Sequence, residues 1–357
     1  MKGIDPRTVQ GWMGHKDLNN TLRYAHVSPD HKKAASQRLS YGDGLIPETT
    51  HCWKRCPMSN QSNNAYKTAP THDELRAMDR DLSFYPREVE NPAALSPTQV
   101  VAFNRDGYLK GIRIFDDAEI AEHRVFFDEQ LRKVMATGQG SFTLSSAHLK
   151  FGKVFDLMHH PRIIACVEEL IGPELIGLAS HYFCKMPQDG TTISWHQDAS
   201  YWPLTPSKTV TVWLAIDDAD VDNGCMRFIA GSHLHGQLEF RQSNASENNV
   251  LNQTVDEVER YGTTVDVELK AGQISIHSDL LLHSSHYNAS HRRRCGLTLR
   301  YCTPDVRAIP GYDWEKEGVL ISGADPDGHW GNPPRPERDY AVDQPWTTRS
   351  QSISSGR

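Results

Sequence analysis

From residue 175 onward the chain breaks into short strand-like runs separated by turn residues, and this limits its fold more than any other feature. Asp222-Asn223-Gly224 and Ala271-Gly272 are turn signals between the runs. Several of the runs are β-branched or alternate in polarity. They cover residues 178–183, 192–195, 209–216, 226–229, 263–269, 273–276 and 296–301. Many short strands joined by turns form two facing sheets, so the sequence predicts a double-sheet jelly roll.

The region before residue 175 predicts helices that brace these sheets. Start and stop signals place the helices over residues 97–106, 116–135 and 160–172. Ser96-Pro97 is an N-cap followed by proline at the first helical position, and Gly107 and Gly172 are stop signals. The predicted fold class is therefore mainly β with bracing helices (α+β).

Composition divides the chain into four parts. Residues 96–305 hold the predicted helices and strands, and we expect them to form one domain. Residues 58–95 are polar and punctuated by proline, which predicts an extended or poorly ordered N-terminal extension. Residues 306–357 are rich in Pro, Gly, Asp and Trp, which predicts an irregular segment with a loose tail past residue 346. This C-terminal segment could close over a site.

Residues 1–57 differ in character from the domain that follows. Gly14-His15 is followed nine residues later by Tyr24, and residues 1–35 resemble the C-terminal end of tyrosine recombinases of the phage-integrase type. The family's catalytic Arg and Lys, which stabilise the transition state of phosphotyrosyl transfer, would have to lie upstream of this fragment. We therefore expect a nonfunctional remnant, with Met58 as an alternative start. A DNA-binding recombinase remnant is the other interpretation.

Net charge and cysteine usage argue against several classes of protein. The formal charge is -7, from 38 basic and 45 acidic residues, so we expect no nucleic-acid partner. No apolar run approaches the roughly 20 residues that span a bilayer, and Met1–Pro6 lacks the apolar stretch of a signal peptide.

Seven scattered cysteines indicate reduced thiols in a cytoplasmic protein. His51, Cys52 and Cys56 lack the second ligand pair that a zinc site needs.

Two neighbouring residues and a third that is distant in sequence predict a metal centre. His196 and Asp198 are two residues apart, so on one strand their side chains point to the same face. His283 follows Asp198 by 85 residues, and only a folded barrel could bring it back to the same site. Two imidazoles and one carboxylate are typical of non-haem Fe(II) oxygenases, because they leave metal positions open for substrate and oxygen.

A co-substrate anchor is predicted shortly after His283. Arg294 follows His283 by eleven residues, and its guanidinium can grip a carboxylate at two points. Arg292 and Arg293 compete for this role. The second His-x-Asp motif, His277-Ser278-Asp279, ends only four residues before His283, too close for the loop-back geometry that the metal site requires. The residues therefore indicate iron together with a dicarboxylic co-substrate.

Five ordered segments carry a resemblance to a known family. They are Phe103-x-x-Asp106-Gly107-Tyr108, Trp195-His196-Gln197-Asp198, Asn223-Gly224-Cys225-Met226, Gly231-Ser232-His233 and His283-Ser284-Ser285 with Asn288 and Arg294. Residues 96–305 thereby resemble the phytanoyl-CoA dioxygenase family of Fe(II)/2-oxoglutarate oxygenases. The resemblance implies a double-stranded β-helix, a cupin-like jelly roll.

The resemblance also implies roles for individual residues. His196, Asp198 and His283 would bind Fe(II), and Arg294 would anchor the distal carboxylate of 2-oxoglutarate, assisted by Ser285. Because Asp198 is present rather than Ala or Gly, the chain resembles the hydroxylating members of the family and not the halogenating ones.

Other residues are candidates for the walls of the site. Thr211 and Trp213 share a strand face, and they could line the 2-oxoglutarate pocket or pack in the core. The candidates for the substrate side are His148, Tyr201, Trp202 and Arg300. Arg300 could instead form an ion pair behind the metal ligands.

Together these features predict a dioxygenase that hydroxylates an unactivated carbon of a small molecule. Fe(II) is the expected cofactor, 2-oxoglutarate and O2 are the co-substrates, succinate and CO2 are released, and ascorbate could support activity. The basic candidates Lys150, Lys185, Arg227, Arg300 and Arg307 favour an anionic or zwitterionic substrate. An organophosphonate such as 2-aminoethylphosphonate, or an amino acid, would fit. The alternatives are an acyl-CoA or natural-product hydroxylase, and a metal-binding barrel without catalysis. The sequence does not predict an oligomeric state.

Overall fold

The computed structural model describes residues 72–142, 144–337 and 339, which fold around two antiparallel sheets. The larger sheet contains, in spatial order, β1 (Tyr108–Arg113), β10 (Gln273–Ser278), β5 (Thr209–Ala215), β12 (Arg294–Cys302), β2 (Leu175–Lys185) and β14 (Val319–Ser322). The smaller sheet contains β3 (Ile193–His196), β11 (His283–Ser285), β6 (Met226–Ala230) and β9 (Thr263–Val267). Two short ribbons pair β4 (Leu204–Thr205) with β13 (Arg307–Ala308) and β7 (Arg241–Gln242) with β8 (Gln253–Thr254). The predicted jelly roll is confirmed.

Except for β1, which lies between α2 and α3 and was not predicted, the strands follow the helices in the chain, as the sequence predicts. They are α1 (His72–Ala77), α2 (Pro97–Asp106), α3 (Asp117–Ala136), α4 (Gly152–Met158) and α5 (Pro161–Ile171). A capping box of Ser96 and Gln99 starts α2, and Gly107 at φ 83° stops it. Asp116 accepts hydrogen bonds from two backbone amides to start α3. The three predicted helices are confirmed, whereas the short helices α1 and α4 were not predicted.

The larger sheet has one face in the core and one face toward a cavity. Along β12, Leu297 and Leu299 pack in a core cluster that also contains Phe127 of α3 and Val167 of α5. Because side chains alternate along a strand, the other face of β12 presents Arg294, Thr298 and Arg300, and these line the cavity. The helices therefore brace the sheet from outside and leave its inner face for a site.

The segments that flank the sheets are packed onto them. Residues 78–95 have no helix or strand, as predicted for an extended segment, but Phe84 packs edge-on against His233 with ring centroids 4.4 Å apart. Farther on, β14 joins β2 within the segment that was predicted to be irregular. Regular structure was missed there because an edge strand of four residues carries little sequence signal. Within the described residues, no helix is long and apolar enough to cross a bilayer.

Several predictions fall on residues outside the described ranges. They concern the recombinase-like residues 1–57 with Tyr24, the thiols of Cys52 and Cys56, the alternative start at Met58, and the tail past residue 346. These remain predictions.

Candidate metal centre and active site

Two histidines from paired strands of the smaller sheet lie close to one carboxylate. His196 ends β3 and is the direct cross-strand partner of His283, which begins β11. Asp198 was predicted on the same strand as His196, but the strand ends at His196 and Asp198 begins a 3-10 turn. Its Oδ1 lies 3.9 Å from Nε2 of His196 and 3.8 Å from Nε2 of His283. One ligand atom from each residue therefore falls within 4.8 Å of the others.

Backbone contacts set the tautomers of the two imidazoles. Nδ1 of His196 lies 2.8 Å from the carbonyl of Ser194, and Nδ1 of His283 lies 3.0 Å from that of Leu281. With Nδ1 donating, each Nε2 keeps its lone pair free on the side of Asp198. Burial lowers the pKa of His196 to about 3 and that of His283 to about 4, so both rings are neutral at pH 7.

The second oxygen of Asp198 is held from behind. Thr211 donates its hydroxyl to Oδ2 at 2.8 Å, while Nε2 of His277 and Nε of Arg300 both lie 3.8 Å from the same atom. Burial alone would raise the pKa of Asp198, but Arg300, His277 and His283 together hold it well below its usual range. The group is therefore an ionised carboxylate. One carboxylate oxygen and two neutral imidazole nitrogens are a donor set that fits Fe(II).

His277 is a cavity residue that the sequence interpretation set aside. Its ring centroid lies 4.7 Å from that of His283, and its register partner Thr211 faces the same cavity. Asp279 of the same motif accepts instead from the hydroxyl of Ser207 at 2.6 Å. Side chains alternate between the two faces of β10, and this alternation is the signal that could have placed the imidazole of His277 on the inner face of the sheet.

A buried guanidinium lies at another part of the cavity wall. Arg294 is 1% exposed; its Nη2 donates to Oγ of Ser285 at 3.3 Å and its Nε to the carbonyl of Gly224 at 3.0 Å. Its guanidinium lies 5.7 Å from the ring centroid of Trp213. No carboxylate of the described residues forms an ion pair with Arg294. Because a buried cation without a counter-charge is costly, this arrangement fits an anionic ligand such as 2-oxoglutarate.

The competing arginines turn away from this wall. Arg292 pairs with Asp220 at 2.7 Å, and Arg293 pairs with Asp217 at 2.7 Å. Their side chains pair with carboxylates outside the cavity, so Arg294 is the one of these three arginines that lines it.

All these groups open into one cavity of about 410 Å³. Among the candidates for its walls, the structure brings Thr211, Trp213, Tyr201, Trp202 and Arg300 to it, together with Ser285. Thr211 was expected beside 2-oxoglutarate, but its hydroxyl is engaged by Asp198.

The prediction that His148 faces the substrate is wrong. His148 is fully buried outside the cavity wall, with Nδ1 2.8 Å from Oγ of Ser180 and Nε2 3.2 Å from the carbonyl of Glu317. Of the basic candidates, Arg300 alone is part of the cavity lining as described. Lys185 is buried and donates to backbone carbonyls, including that of Thr191 at 3.1 Å.

Comparison with known proteins finds similarity to a family of dioxygenases, in agreement with the ligand set of the cavity. The sequence profile of the family described as phytanoyl-CoA dioxygenase (PhyH) matches residues 94–296. A phytanoyl-CoA dioxygenase of Arabidopsis thaliana is 30% identical over 144 residues, which cover 40% of this chain and 48% of that protein. A probable alpha-ketoglutarate-dependent hypophosphite dioxygenase of Stutzerimonas stutzeri is 25% identical over 188 residues, covering 50% of this chain and 64% of that protein.

A solved structure is similar over a larger share of its length. The non-heme monooxygenase ThoJ superimposes with a TM-score of 0.57 at 31% identity, covering 67% of this chain and 88% of that one. The two sequence relatives named above are matched over less of their length, and the chain spans about half of the Arabidopsis protein.

Proposed function

The chain belongs to the phytanoyl-CoA dioxygenase family of Fe(II)/2-oxoglutarate-dependent oxygenases, and we propose that it hydroxylates an unactivated carbon of a small organic molecule. The observation that carries the proposal is that one cavity contains both the His196, Asp198 and His283 ligand set and the buried guanidinium of Arg294, which forms no ion pair with the described residues. A metal site alone would not need a buried cation in the same cavity. A cation alone would not need three converging ligands.

Each part of the cavity supports one component of the reaction. His196, Asp198 and His283 would hold Fe(II), and Arg294 with Ser285 would bind the distal carboxylate of 2-oxoglutarate beside Trp213. When bound, iron and 2-oxoglutarate supply the oxidant from O2 that hydroxylates carbon, with release of succinate and CO2.

The protein's own contribution is orientation and the exclusion of water. The hydrogen bond from Thr211 keeps Oδ1 of Asp198 turned toward the histidines, and the Nδ1 contacts keep both rings in the ligating tautomer. Apolar side chains of Trp213 and Met226 form part of the wall, which protects a reactive centre from solvent.

Cavity size and lining support a small substrate with one anionic group. A volume of about 410 Å³ lies at the small end of ligand pockets, and here it would hold both co-substrate and substrate. Phe142, Phe183, Tyr201 and Trp202 supply aromatic surface, and Arg300 supplies a charge 5.1 Å from the Trp202 ring centroid. We therefore favour a small carboxylate, amino acid or organophosphonate with an apolar portion. The similarity to a hypophosphite dioxygenase supports including phosphorus compounds in a screen.

The test is succinate formation from 2-oxoglutarate with Fe(II) and ascorbate across a panel of aminophosphonates, amino acids, betaines, aryl carboxylates and acyl-CoAs. We expect a substrate-dependent rise that is lost in His196→Ala, and the responding compounds identify the substrate class. A response to long acyl-CoAs alone would contradict the small-substrate proposal. Metal and 2-oxoglutarate binding without succinate formation from any compound would favour a non-catalytic barrel.

A further inference from the structure

A segment ahead of the family-matching region contacts the loop that carries Asp198. We call residues 76–85 the N-terminal strap and residues 197–205 the active-site loop; the family match begins only at residue 94. The backbone amide of Asp81 donates to Oγ1 of Thr205 at 2.9 Å, and the carbonyl of Asp81 accepts from the amide of Ser207 at 2.9 Å. The strap therefore follows the end of the active-site loop.

Arg80 is the charged link between the two segments. Its Nη1 donates to the carbonyl of Ala199 at 2.8 Å and to the carbonyl of Trp202 at 2.8 Å. Its Nη2 lies 3.3 Å from Oε1 of Gln237. A single guanidinium nitrogen thus joins one carbonyl within the 3-10 turn to another just after it. Hydrogen bonds from a charged donor are stronger than neutral ones.

Asp198, Tyr201 and Trp202, which lie next to or between these two carbonyls, belong to the proposed active site. Asp198 starts the turn, and its carbonyl accepts from the amide of Tyr201 at 3.0 Å. The Tyr201 ring meets His196 edge-on with centroids 5.7 Å apart, and the Trp202 ring lies under Arg300. Fixing the carbonyls of 199 and 202 therefore fixes the backbone from which the Asp198 carboxylate and both rings extend.

We propose that Arg80 is a positioning residue. It acts on the metal centre through Asp198 and on the substrate wall of the cavity through Trp202. The metal part of this inference rests on the proposed function, whereas the ordering of the active-site loop does not. A neutral glutamine at position 80 would lose the charged bridge between the two carbonyls. A lysine could restore it, because one ammonium nitrogen can take the place of Nη1.

The strap itself contains a matched control. Arg76 also donates to a backbone carbonyl, that of Phe240, at 2.8 Å, and its guanidinium lies 5.0 Å from the centroid of the Phe240 ring. Arg76→Gln therefore removes the same kind of contact from the same segment but releases a different loop. An effect shared by the two variants comes from loosening the N-terminal strap in general. A difference between them comes from the contacts of Arg80 with the active-site loop.

The experiment combines hydrogen–deuterium exchange with Co(II) titration of the full chain. We expect Arg80→Gln to speed exchange in peptides covering 198–205 and to lower Co(II) affinity about tenfold, the low end for residues that orient metal ligands. Arg80→Lys should restore most of both. Arg76→Gln should speed exchange only around residue 240 and leave Co(II) affinity unchanged.

Two results would overturn the inference: equal effects of Arg80→Gln and Arg76→Gln on both measurements, or an Arg80→Lys variant no better than Arg80→Gln. If Arg80→Gln does not fold, Arg80→Lys decides, because wild-type exchange at 198–205 supports the bridge and fast exchange there contradicts it. Failure of the proposed function is recognised separately, since wild type would then bind Co(II) no better than His196→Ala.

Discussion

The hydroxyl of Thr211 donates a 2.8 Å hydrogen bond to Oδ2 of Asp198, while Oδ1 of the same carboxylate lies within 3.9 Å of both imidazole Nε2 atoms. The two oxygens of Asp198 are thus assigned to different tasks: one faces the histidines and the other is held by β5. Strand β5 of the larger sheet thereby orients Asp198, which lies in the turn that follows β3 of the smaller sheet.

Replacing Thr211 with valine tests whether its hydrogen bond to one oxygen of Asp198 orients the other oxygen toward the histidines. Thr211→Val keeps the shape of the side chain but removes the hydroxyl, so Asp198 can rotate and metal affinity should fall about tenfold. Thr209→Val is the matched control, because Thr209 is buried on the same strand and its hydroxyl has no hydrogen-bond partner within the described ranges. Calorimetric titration with Co(II) measures both variants. Equal affinities would show that the Thr211 hydroxyl does not position the ligand.

Replacing Arg294 with lysine tests the co-substrate anchor. An ammonium cannot form the two-point contact of a guanidinium, so the affinity for 2-oxoglutarate should fall about 100-fold in Arg294→Lys. Arg293→Lys makes the same exchange one residue earlier, where the side chain pairs with Asp217. The Kd for 2-oxoglutarate under anaerobic conditions, measured with Co(II) bound, should be unchanged in this control. A similar loss in both variants would place the anchor elsewhere.

Gly296 allows Trp213 to lie against the sheet beside Arg294. A Cβ at position 296 would lie 1.9 Å from Cζ2 of Trp213, so Gly296→Ala must displace the indole. We expect a cost of about 1–3 kcal/mol in the free energy of unfolding, together with weaker 2-oxoglutarate binding. Gly140→Ala is the control, since no atom of the described residues lies within 4 Å of a Cβ there. Chemical denaturation and 2-oxoglutarate titration measure the two effects, and an unchanged Gly296→Ala variant would contradict the packing.

Asp279 makes the stability of the fold depend on pH. Burial raises the pKa of Asp279 to about 7 from an ordinary value of 3.8. Between these values the folded protein binds a proton that the unfolded chain has released, so this group's contribution to stability falls as pH rises and is fully lost above about 7.

Asp279→Asn should remove this dependence, because asparagine keeps an acceptor for the hydroxyl of Ser207 without the charge. The variant should gain a few kcal/mol relative to wild type between pH 5 and pH 8, since a tenfold change in proton affinity is worth about 1.4 kcal/mol. Denaturant unfolding across this range measures the difference. Parallel curves for the two proteins would mean that Asp279 is ionised in the folded state throughout.

The sequence was sufficient to predict features that depend on residue type and order in the chain. These features are the placement of His196, Asp198, His283 and Arg294 in one cavity and the capping signals of α2 and α3. The task of Thr211 was not predictable, because it depends on the register that places Thr211 opposite Arg300 and His277.

Two placements at the site depend on tertiary structure that the local sequence does not indicate. His277 was rejected as a metal ligand, in agreement with the observed ligand set, but its place in the cavity beside His283 was not foreseen, because β10 and β11 belong to different sheets. The chain crosses from one sheet to the other between these residues, so both rings enter one cavity. His148 was assigned to the substrate side, and its partners Ser180 and the carbonyl of Glu317 come from distant parts of the chain that no local pattern indicates.

Anaerobic titration of 2-oxoglutarate into the Fe(II)-loaded protein tests the central claim most directly, because chelation of the metal by the keto acid produces a visible charge-transfer absorption. We predict saturable absorption in wild type, none in His196→Ala, and a much higher half-saturation concentration in Arg294→Lys. No absorption in wild type, or equal absorption in wild type and His196→Ala, would contradict the assignment of the triad and Arg294 to one iron and 2-oxoglutarate site.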